Sequence, residues 1–109
     1  MSYSLIITTA PSKESAKIIA GFLVEKQLAA CVQMFPIESV YTWKGETCNE
    51  DEIVLFIKSK SSFFDKIKTA IKENHKYEIP EIIQVPITDG LPEYLKWIDD
   101  CIENKLNKV

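Results

Sequence analysis

The side chain best suited to chemistry in this sequence is His75, the only histidine. It stands near the end of a predicted helix and is followed closely by Tyr77 and Glu78. A lone histidine there is typical of a surface residue or of a positive charge at a helix C-terminus, and its functional alternatives are metal ligation and proton transfer. Cys31 opens a predicted strand, and no base lies beside it in sequence to activate it as a nucleophile.

Known catalytic patterns are missing from the sequence. It contains no Ser-His-Asp order, no glycine-rich phosphate loop and no His-Glu-x-x-His motif. The three cysteines, Cys31, Cys48 and Cys101, are odd in number and widely spaced, which argues against a disulfide framework and against a structural zinc site. We therefore predict that the protein is not an enzyme and has no obligatory cofactor.

Length and composition predict one ordinary domain over residues 1–109. The chain is 46% hydrophobic and 27% charged, with a net charge of -3, so no basic surface suggests nucleic acid as a partner. No apolar run approaches the roughly 20 residues of a membrane span. The first residues lack the basic and apolar regions of a signal peptide, and a cytoplasmic protein is expected.

Apolar periodicity predicts the order β-α-β-β-α-β with an added C-terminal helix, which is the ferredoxin-like α+β arrangement. The predicted elements are a strand at 5–9, a helix from Ser12 to about Gln27, strands at 30–42 and 53–60, a helix from Ser61 to about Asn74, a strand at 82–85 stopped by Pro86, a helix from Pro92, and frayed residues at 104–109.

The stretch from Ala30 to Lys60 predicts one long β-hairpin with Lys44-Gly45 as its turn. A strand of a dozen residues is roughly 40 Å long, so the hairpin is expected to overhang a domain of this size. The second strand, around 53–57, is apolar on both faces. Because one small domain covers only one face of a sheet, this pattern predicts an oligomer.

Several short motifs together resemble the CutA family of divalent cation tolerance proteins. Any one is weak, but six occur in order along nearly the whole chain. They are Thr9-Ala10-Pro11, Leu28-Ala29-Ala30-Cys31-Val32, Tyr41-x-Trp43-Lys44-Gly45, Lys58-Ser59-Lys60, His75-x-Tyr77-Glu78-x-Pro80-Glu81 and Tyr94-Leu95-x-Trp97.

The resemblance implies a homotrimer with a cytoplasmic role in tolerance of copper and other divalent metals. It also implies, as an alternative, a signalling-type trimer that binds a small anionic ligand in clefts between subunits. The metal candidates are His75, Glu78 and Cys31. The ligand candidates are Lys44, Lys58, Tyr77, Trp97 and Trp43.

The sequence departs from the family pattern at positions where some members carry copper ligands. Those positions hold Thr8, Asn74 and His75, and only the imidazole suits copper well. The resemblance therefore implies weak binding of divalent cations, with His75 assisted by Glu78 or Cys31.

Overall fold

The structure is a computed structural model, and it describes residues 2–102 of the chain. In chain order the elements are β1 (Tyr3–Ala10), α1 (Lys13–Glu25), β2 (Cys31–Trp43), β3 (Glu46–Lys60), a 3-10 turn (Ser61–Phe63), α2 (Phe64–Glu73), β4 (Ile82–Ile87) and α3 (Pro92–Cys101).

The four strands form one sheet in the order β2-β3-β1-β4, and every neighbouring pair is antiparallel. This arrangement confirms the predicted α+β fold of ferredoxin-like topology, with the long hairpin and the extra C-terminal helix. The predicted frayed residues, 104–109, lie outside the described residues.

Helix α1 begins where the sequence predicts, at a capping box. The Ser12 side chain accepts a hydrogen bond from the Ser15 backbone at 3.1 Å, and the Ser15 hydroxyl accepts one from the Ser12 backbone at 3.2 Å. These bonds satisfy N–H groups that a helix start otherwise leaves unpaired. Ile19 and Leu23 then lie one turn apart on the buried face.

The main core lies between one face of the sheet and the helices α1 and α2. Alternation along the strands directs Ile6 of β1 and its partner Ile57 of β3 into this core, and both are fully buried. Ile67 and Ile71, one turn apart on α2, complete it.

That opposite face, here called the open face, carries large apolar side chains from all four strands. Phe56 of β3 is half-buried and meets Phe35 of β2 edge-on, with ring centroids 5.2 Å apart. On β4, Ile83 and Val85 are 47% and 40% exposed. The open face is therefore apolar at β3, as predicted, and also at its neighbours in the sheet.

Helix α3 covers one end of the open face. The Tyr3 hydroxyl donates a hydrogen bond to Asp99 at 2.6 Å, and Lys60 forms an ion pair with the same carboxylate at 3.3 Å. Tyr3 and Lys60 are partners across β1 and β3, so α3 is fixed at the end of the sheet where β1 begins. The rest of the open face has no helix above it among residues 2–102.

The hairpin extends well beyond the sheet. Strand β1 pairs with β3 only as far as Ala10 and Ile53, so residues 37–43 and 46–52 continue as a two-stranded ribbon. Its turn is Lys44-Gly45, as predicted, and both residues have positive φ, 51° and 82°. Two consecutive positive φ angles are those of a two-residue hairpin turn whose twist matches the strands.

Two strand boundaries in the sequence prediction were wrong. Strand β3 begins at Glu46 rather than at residue 53. Strand β4 does not stop at Pro86 but continues to Ile87, and Pro86 lies opposite Ser4 in the register. β4 is the edge strand beside β1, and an edge strand tolerates proline where the missing N–H would have faced away from the ladder. Among the described helices, none is long and apolar enough to cross a membrane.

Candidate functional site

A cavity lies where the hairpin leaves the sheet, and we call it the hairpin pocket. Its volume is about 750 Å³. The end of β1, the ribbon of β2 and β3, and the connection between α2 and β4 form its walls. The lining residues are Thr9, Glu38, Ser39, Val40, Tyr41, Trp43, Cys48, Glu50, Glu52, Tyr77, Glu78, Ile79 and Glu81.

His75 fastens one wall of this pocket. Its Nε2 lies 2.5 Å from the carbonyl oxygen of Thr9, at the end of β1, and its Nδ1 accepts a hydrogen bond from the backbone N–H of Tyr77 at 3.0 Å. A carbonyl can only accept, so Nε2 carries the proton and Nδ1 offers its lone pair. Both ring nitrogens are therefore engaged with backbone groups.

Tyr77 joins the same wall to the hairpin. Its hydroxyl donates a hydrogen bond to Glu52 at 2.8 Å, and its ring lies 4.8 Å from that of His75. Desolvation by burial, followed by the hydrogen bond to the Glu52 carboxylate, raises the pKa of Tyr77. Both effects favour the neutral phenol, which is the form able to donate.

A second tyrosine–glutamate pair lies further along the ribbon. The Tyr41 hydroxyl donates to Glu50 at 2.5 Å, across β2 and β3. The hydrogen bond to Glu50 is the main cause that raises the pKa of Tyr41 to about 12. Glu50 and Glu52 are two residues apart on one strand, so both side chains leave the same side of the ribbon.

The pocket lining is strongly acidic. Five glutamates contribute to it, and no Lys, Arg or His is among the described residues that line it. Glu52 is the least accessible of the five, at 8% exposure. An acidic cavity with few compensating charges attracts cations and repels anions.

The five predicted ligand residues do not lie together in one chain. Trp43 and Tyr77 line the hairpin pocket. The Lys44 ammonium lies 5.7 Å from the Trp43 ring centroid at the hairpin turn. Lys58 and Trp97 belong to the other end of the sheet.

At that other end, Tyr94 of α3 connects the two remaining ligand candidates. The Lys58 ammonium lies 5.5 Å from the centroid of the Tyr94 ring, which in turn lies 5.5 Å from the ring of Trp97. These three side chains form a cation–aromatic cluster between β3 and α3. It is separate from the hairpin pocket within one chain.

The three metal candidates are also divided. Glu78 lines the hairpin pocket, close in sequence to His75. Cys31 lies opposite Lys58 in the sheet, whereas Thr9, which His75 contacts, lies opposite Val54. Lys58 and Val54 are four residues apart on β3, so the two levels are separated by about 13 Å at the usual rise per residue. Within residues 2–102, no group of three or more His, Cys, Asp or Glu side chains could hold a metal ion.

Sequence analysis missed the glutamates that dominate the pocket. The sequence predicts a strand that begins at residue 53, which leaves out Glu50 and Glu52, whereas both lie in β3. Alternation along the strand was the signal that could have found them, because Glu50, Glu52, Val54 and Phe56 are spaced by two and share a face.

The fold and the extended hairpin first define the class of this protein, an antiparallel ferredoxin-like domain with a two-stranded arm. The family model described as "CutA1 divalent ion tolerance protein" then matches residues 4–101. The chain belongs to the CutA1 divalent ion tolerance family, and the resemblance inferred from its motifs is confirmed.

Relatives from distant organisms support the assignment. The chain is 42% identical to the divalent-cation tolerance protein CutA of Archaeoglobus fulgidus over 101 residues, which are 93% of this chain and 99% of that protein. It is 42% identical to the Thermus thermophilus protein of the same name over 95 residues, covering 86% and 92% of the two chains. It spans only 56% of the length of a chloroplastic CutA protein of Arabidopsis thaliana.

Solved structures agree with the fold. A crystal structure of CutA1 from Oryza sativa superposes with a TM-score of 0.91 at 38% identity and covers 94% of each chain. A structure from Archaeoglobus fulgidus, described as a periplasmic divalent cation tolerance protein, gives 0.90 at 41% identity and covers 91% of this chain and 97% of that one.

Proposed function

We propose that the protein is a cytoplasmic homotrimer that acts in divalent-metal tolerance without catalysing a reaction, and that copper is a cation it binds weakly. The observation that carries the proposal is the acidic hairpin pocket, whose lining includes five glutamates and no basic side chain of the described residues. The family supports metal tolerance at the general level, since its members are named for tolerance of divalent ions.

Copper is proposed to bind at the segment that holds His75 and Glu78, beside the pocket. Imidazole is a good ligand for copper, and a carboxylate can assist it. To ligate, His75 must give up one of its two hydrogen bonds to the backbone, at Thr9 or Tyr77. That exchange opposes binding, so the proposed affinity is low.

Isothermal titration of copper tests this proposal on the parent, His75→Ala and Glu78→Gln. We expect both variants to bind more weakly. Cys31→Ser is the comparison for the third candidate, which lies far from His75 within one chain. Lys76→Ala, an exposed neighbour, serves as the control. Equal copper affinity in the parent and His75→Ala would remove His75 from the site.

The trimer is proposed to form through the open face. Phe35, Ile83 and Val85 are each at least 40% exposed there. Burying apolar surface of this kind gains roughly 25 cal/mol for each Å². A protein of this size seldom leaves a whole sheet face of aromatic and branched side chains in water.

Light scattering after size-exclusion chromatography tests the assembly. We expect a mass three times that of one chain for the parent, and a smaller species for Ile83→Asp. Ile18→Asp introduces the same charge at a 61%-exposed position on α1, on the opposite side of the sheet, and is expected to stay trimeric. A parent protein that elutes as a monomer refutes the trimer.

A second candidate function is the binding of a small anion, favoured by the Lys58–Tyr94–Trp97 cluster. Lys44 lies at the hairpin turn, so a site that includes both lysines and Trp43 needs more than one chain. Thermal-shift measurements with phosphate and carboxylate compounds test it, because a ligand bound only to the folded protein raises the apparent stability. No shift in the parent, or an unchanged shift in Lys58→Met, counts against this function.

A further inference from the structure

Two of the three cysteines belong to elements that meet at one corner of the sheet. Cys31 is the first residue of β2, and Cys101 is the last residue of α3. Both are half-buried and carry free thiols. Cys48 lies apart from them, ten residues from Lys58 on β3, which is about 33 Å along the strand.

Cys31 faces the side of the sheet that α3 covers. It lies opposite Lys58 in the register of β2 and β3, and side chains opposite each other project from the same face of a sheet. The Lys58 ammonium lies 5.5 Å from the ring centroid of Tyr94 on α3. The side chain of Cys31 therefore starts from the open face, beside the residue that reaches α3.

A small apolar cluster brings Cys101 to the same corner. Ala30, Ile98 and Ile102 form one buried cluster, and Cys101 packs against it. Ala30 directly precedes Cys31 in the chain, and Ile102 directly follows Cys101. Each cysteine is thus the neighbour in sequence of a residue that takes part in this contact between β2 and α3.

The two thiols lie close enough for the charge of one to act on the other. Burial raises the pKa of the Cys101 thiol, and the negative charges of Asp100 and Cys31 raise it further. Such an effect falls off with distance, so it indicates proximity. The raised pKa leaves less of Cys101 as thiolate near neutral pH, and Cys101 is therefore unsuited to the role of first nucleophile.

This corner is covered by the chain itself rather than by the apolar contact proposed between chains. Helix α3 is held over this end of the sheet by the bonds of Asp99 with Tyr3 and Lys60. Both cysteines are half-buried rather than enclosed, which admits a molecule as small as a peroxide. A reaction between two side chains of one chain needs no ligand cavity.

We propose that Cys31 and Cys101 are a site of reversible oxidation, at which a peroxide converts the two thiols into an intrachain disulfide. A disulfide needs its two Cα atoms within about 7 Å of each other. Cys101 is the last residue of α3, and helix ends adjust more readily than a paired strand. The bond fixes the end of α3 to the start of the edge strand β2.

The proposed reaction has two balanced steps. The Cys31 thiolate attacks one oxygen of hydrogen peroxide, the O–O bond breaks, and a sulfenic acid and hydroxide form. The Cys101 thiolate then attacks the Cys31 sulfur, so the S–S bond forms, the S–O bond breaks and a second hydroxide leaves. Each hydroxide takes the proton of one thiol and becomes water. Two electrons pass from the sulfurs to the peroxide, and a dithiol reductant reverses the oxidation by thiol–disulfide exchange.

Thiol counting and peptide mapping on the assembled protein test the proposal. The reduced protein is treated with hydrogen peroxide in slight excess, with EDTA present to remove copper. Trypsin cleaves after Lys44, Lys58 and Lys96, so the three cysteines fall in separate peptides. We expect the thiols to fall from three to one per chain, and the Cys31 and Cys101 peptides to be joined with the loss of two hydrogens. Dithiothreitol should restore all three thiols.

Serine variants separate the roles of the three cysteines. Cys48→Ser is the matched control, and we expect it to form the same disulfide as the parent. Cys31→Ser and Cys101→Ser should not form it. In Cys101→Ser the first step is still possible, so a cyclic 1,3-dione should label the Cys31 peptide as a sulfenic acid.

Three results would overturn the proposal. Three free thiols after treatment would mean that the pair does not react. Sulfinic acid on single cysteines without an S–S bond would mean that the two sulfurs do not meet. A disulfide to Cys48, or one between chains, would place the oxidation elsewhere. The digest of the parent decides all three without a variant, and none depends on the copper titration of His75→Ala.

Discussion

Replacing His75 by alanine tests whether the two hydrogen bonds of this side chain stabilise the folded protein. The substitution removes the bond from Nε2–H to the Thr9 carbonyl and the bond from the Tyr77 N–H to Nδ1. A hydrogen bond contributes about 0.5–1.5 kcal/mol net, so the two together predict a loss of about 1–3 kcal/mol in the free energy of unfolding. Ring contact with Tyr77, at 4.8 Å between centroids, adds to the loss.

Two conservative variants separate the two bonds. In His75→Asn, the amide oxygen stands in for Nδ1 and can still accept from Tyr77. In His75→Gln, the amide nitrogen stands in for Nε2 and can still donate to Thr9. We expect each to lose roughly half as much stability as His75→Ala, if one bond of about 1 kcal/mol is retained.

Urea denaturation measures these differences through the transition midpoint at constant slope. Protein concentration must be the same in every sample, because the apparent stability of an oligomer depends on it. Lys76→Ala changes the exposed neighbour of His75 and is expected to be nearly neutral. Amide exchange at Tyr77 gives a second readout, since the N–H loses its acceptor in His75→Ala and should exchange faster. A loss below about 0.5 kcal/mol, or equal losses in the Ala, Asn and Gln variants, refutes the assignment of both bonds.

Three further predictions concern the hairpin and the core. The pKa of Tyr41 is raised to about 12 in the folded protein, above its ordinary value. The neutral phenol therefore contributes stability below about pH 10, and this contribution is lost as the pH rises toward 12. Absorbance at alkaline pH should show one fewer late-titrating phenol in Tyr41→Phe. Gly45 has a φ of 82° and open space around it, so Gly45→Ala should destabilise the protein by about 1 kcal/mol through backbone conformation alone. Gly21→Ala inside α1 should stabilise the protein by about 0.5–1 kcal/mol. Shifts of the urea midpoint in opposite directions would establish this contrast. Ile57→Ala should lower the free energy of unfolding by about 2–5 kcal/mol because the side chain is fully buried. Ile18→Ala, at 61% exposure, should change it by less than about 0.5 kcal/mol. Similar urea midpoints for these two variants would contradict the assigned core.

The fold could be predicted because its local signals agree with one another. Ser12 marks the start of α1, Lys44-Gly45 marks a turn that needs positive φ twice, and apolar spacing of two or of three and four separates strands from helices. Each of these signals acts over a few residues. Their order along the chain then leaves few topologies open.

The site was less predictable because it is assembled from segments that are distant in sequence. His75 contacts Thr9, and Tyr77 contacts Glu52, across separations of 66 and 25 residues. No local pattern encodes such contacts. Pro86 shows the same limit at a boundary, since a proline ends a central strand but is accommodated in the edge strand β4, and only the sheet order distinguishes the two cases.

The length of the hairpin is what creates the pocket. Strand β1 ends at Ala10, while β3 begins seven residues before its pairing with β1, so the ribbon has no neighbour on that side. The connection between α2 and β4 crosses this gap and is held there by His75 and Tyr77. Because the ribbon alternates strictly, the face it turns toward the gap repeats the face that is apolar within the sheet. On this face the ribbon carries Glu50 and Glu52. The apolar surface of the sheet is therefore followed by a charged cavity where β1 ends, at Ala10.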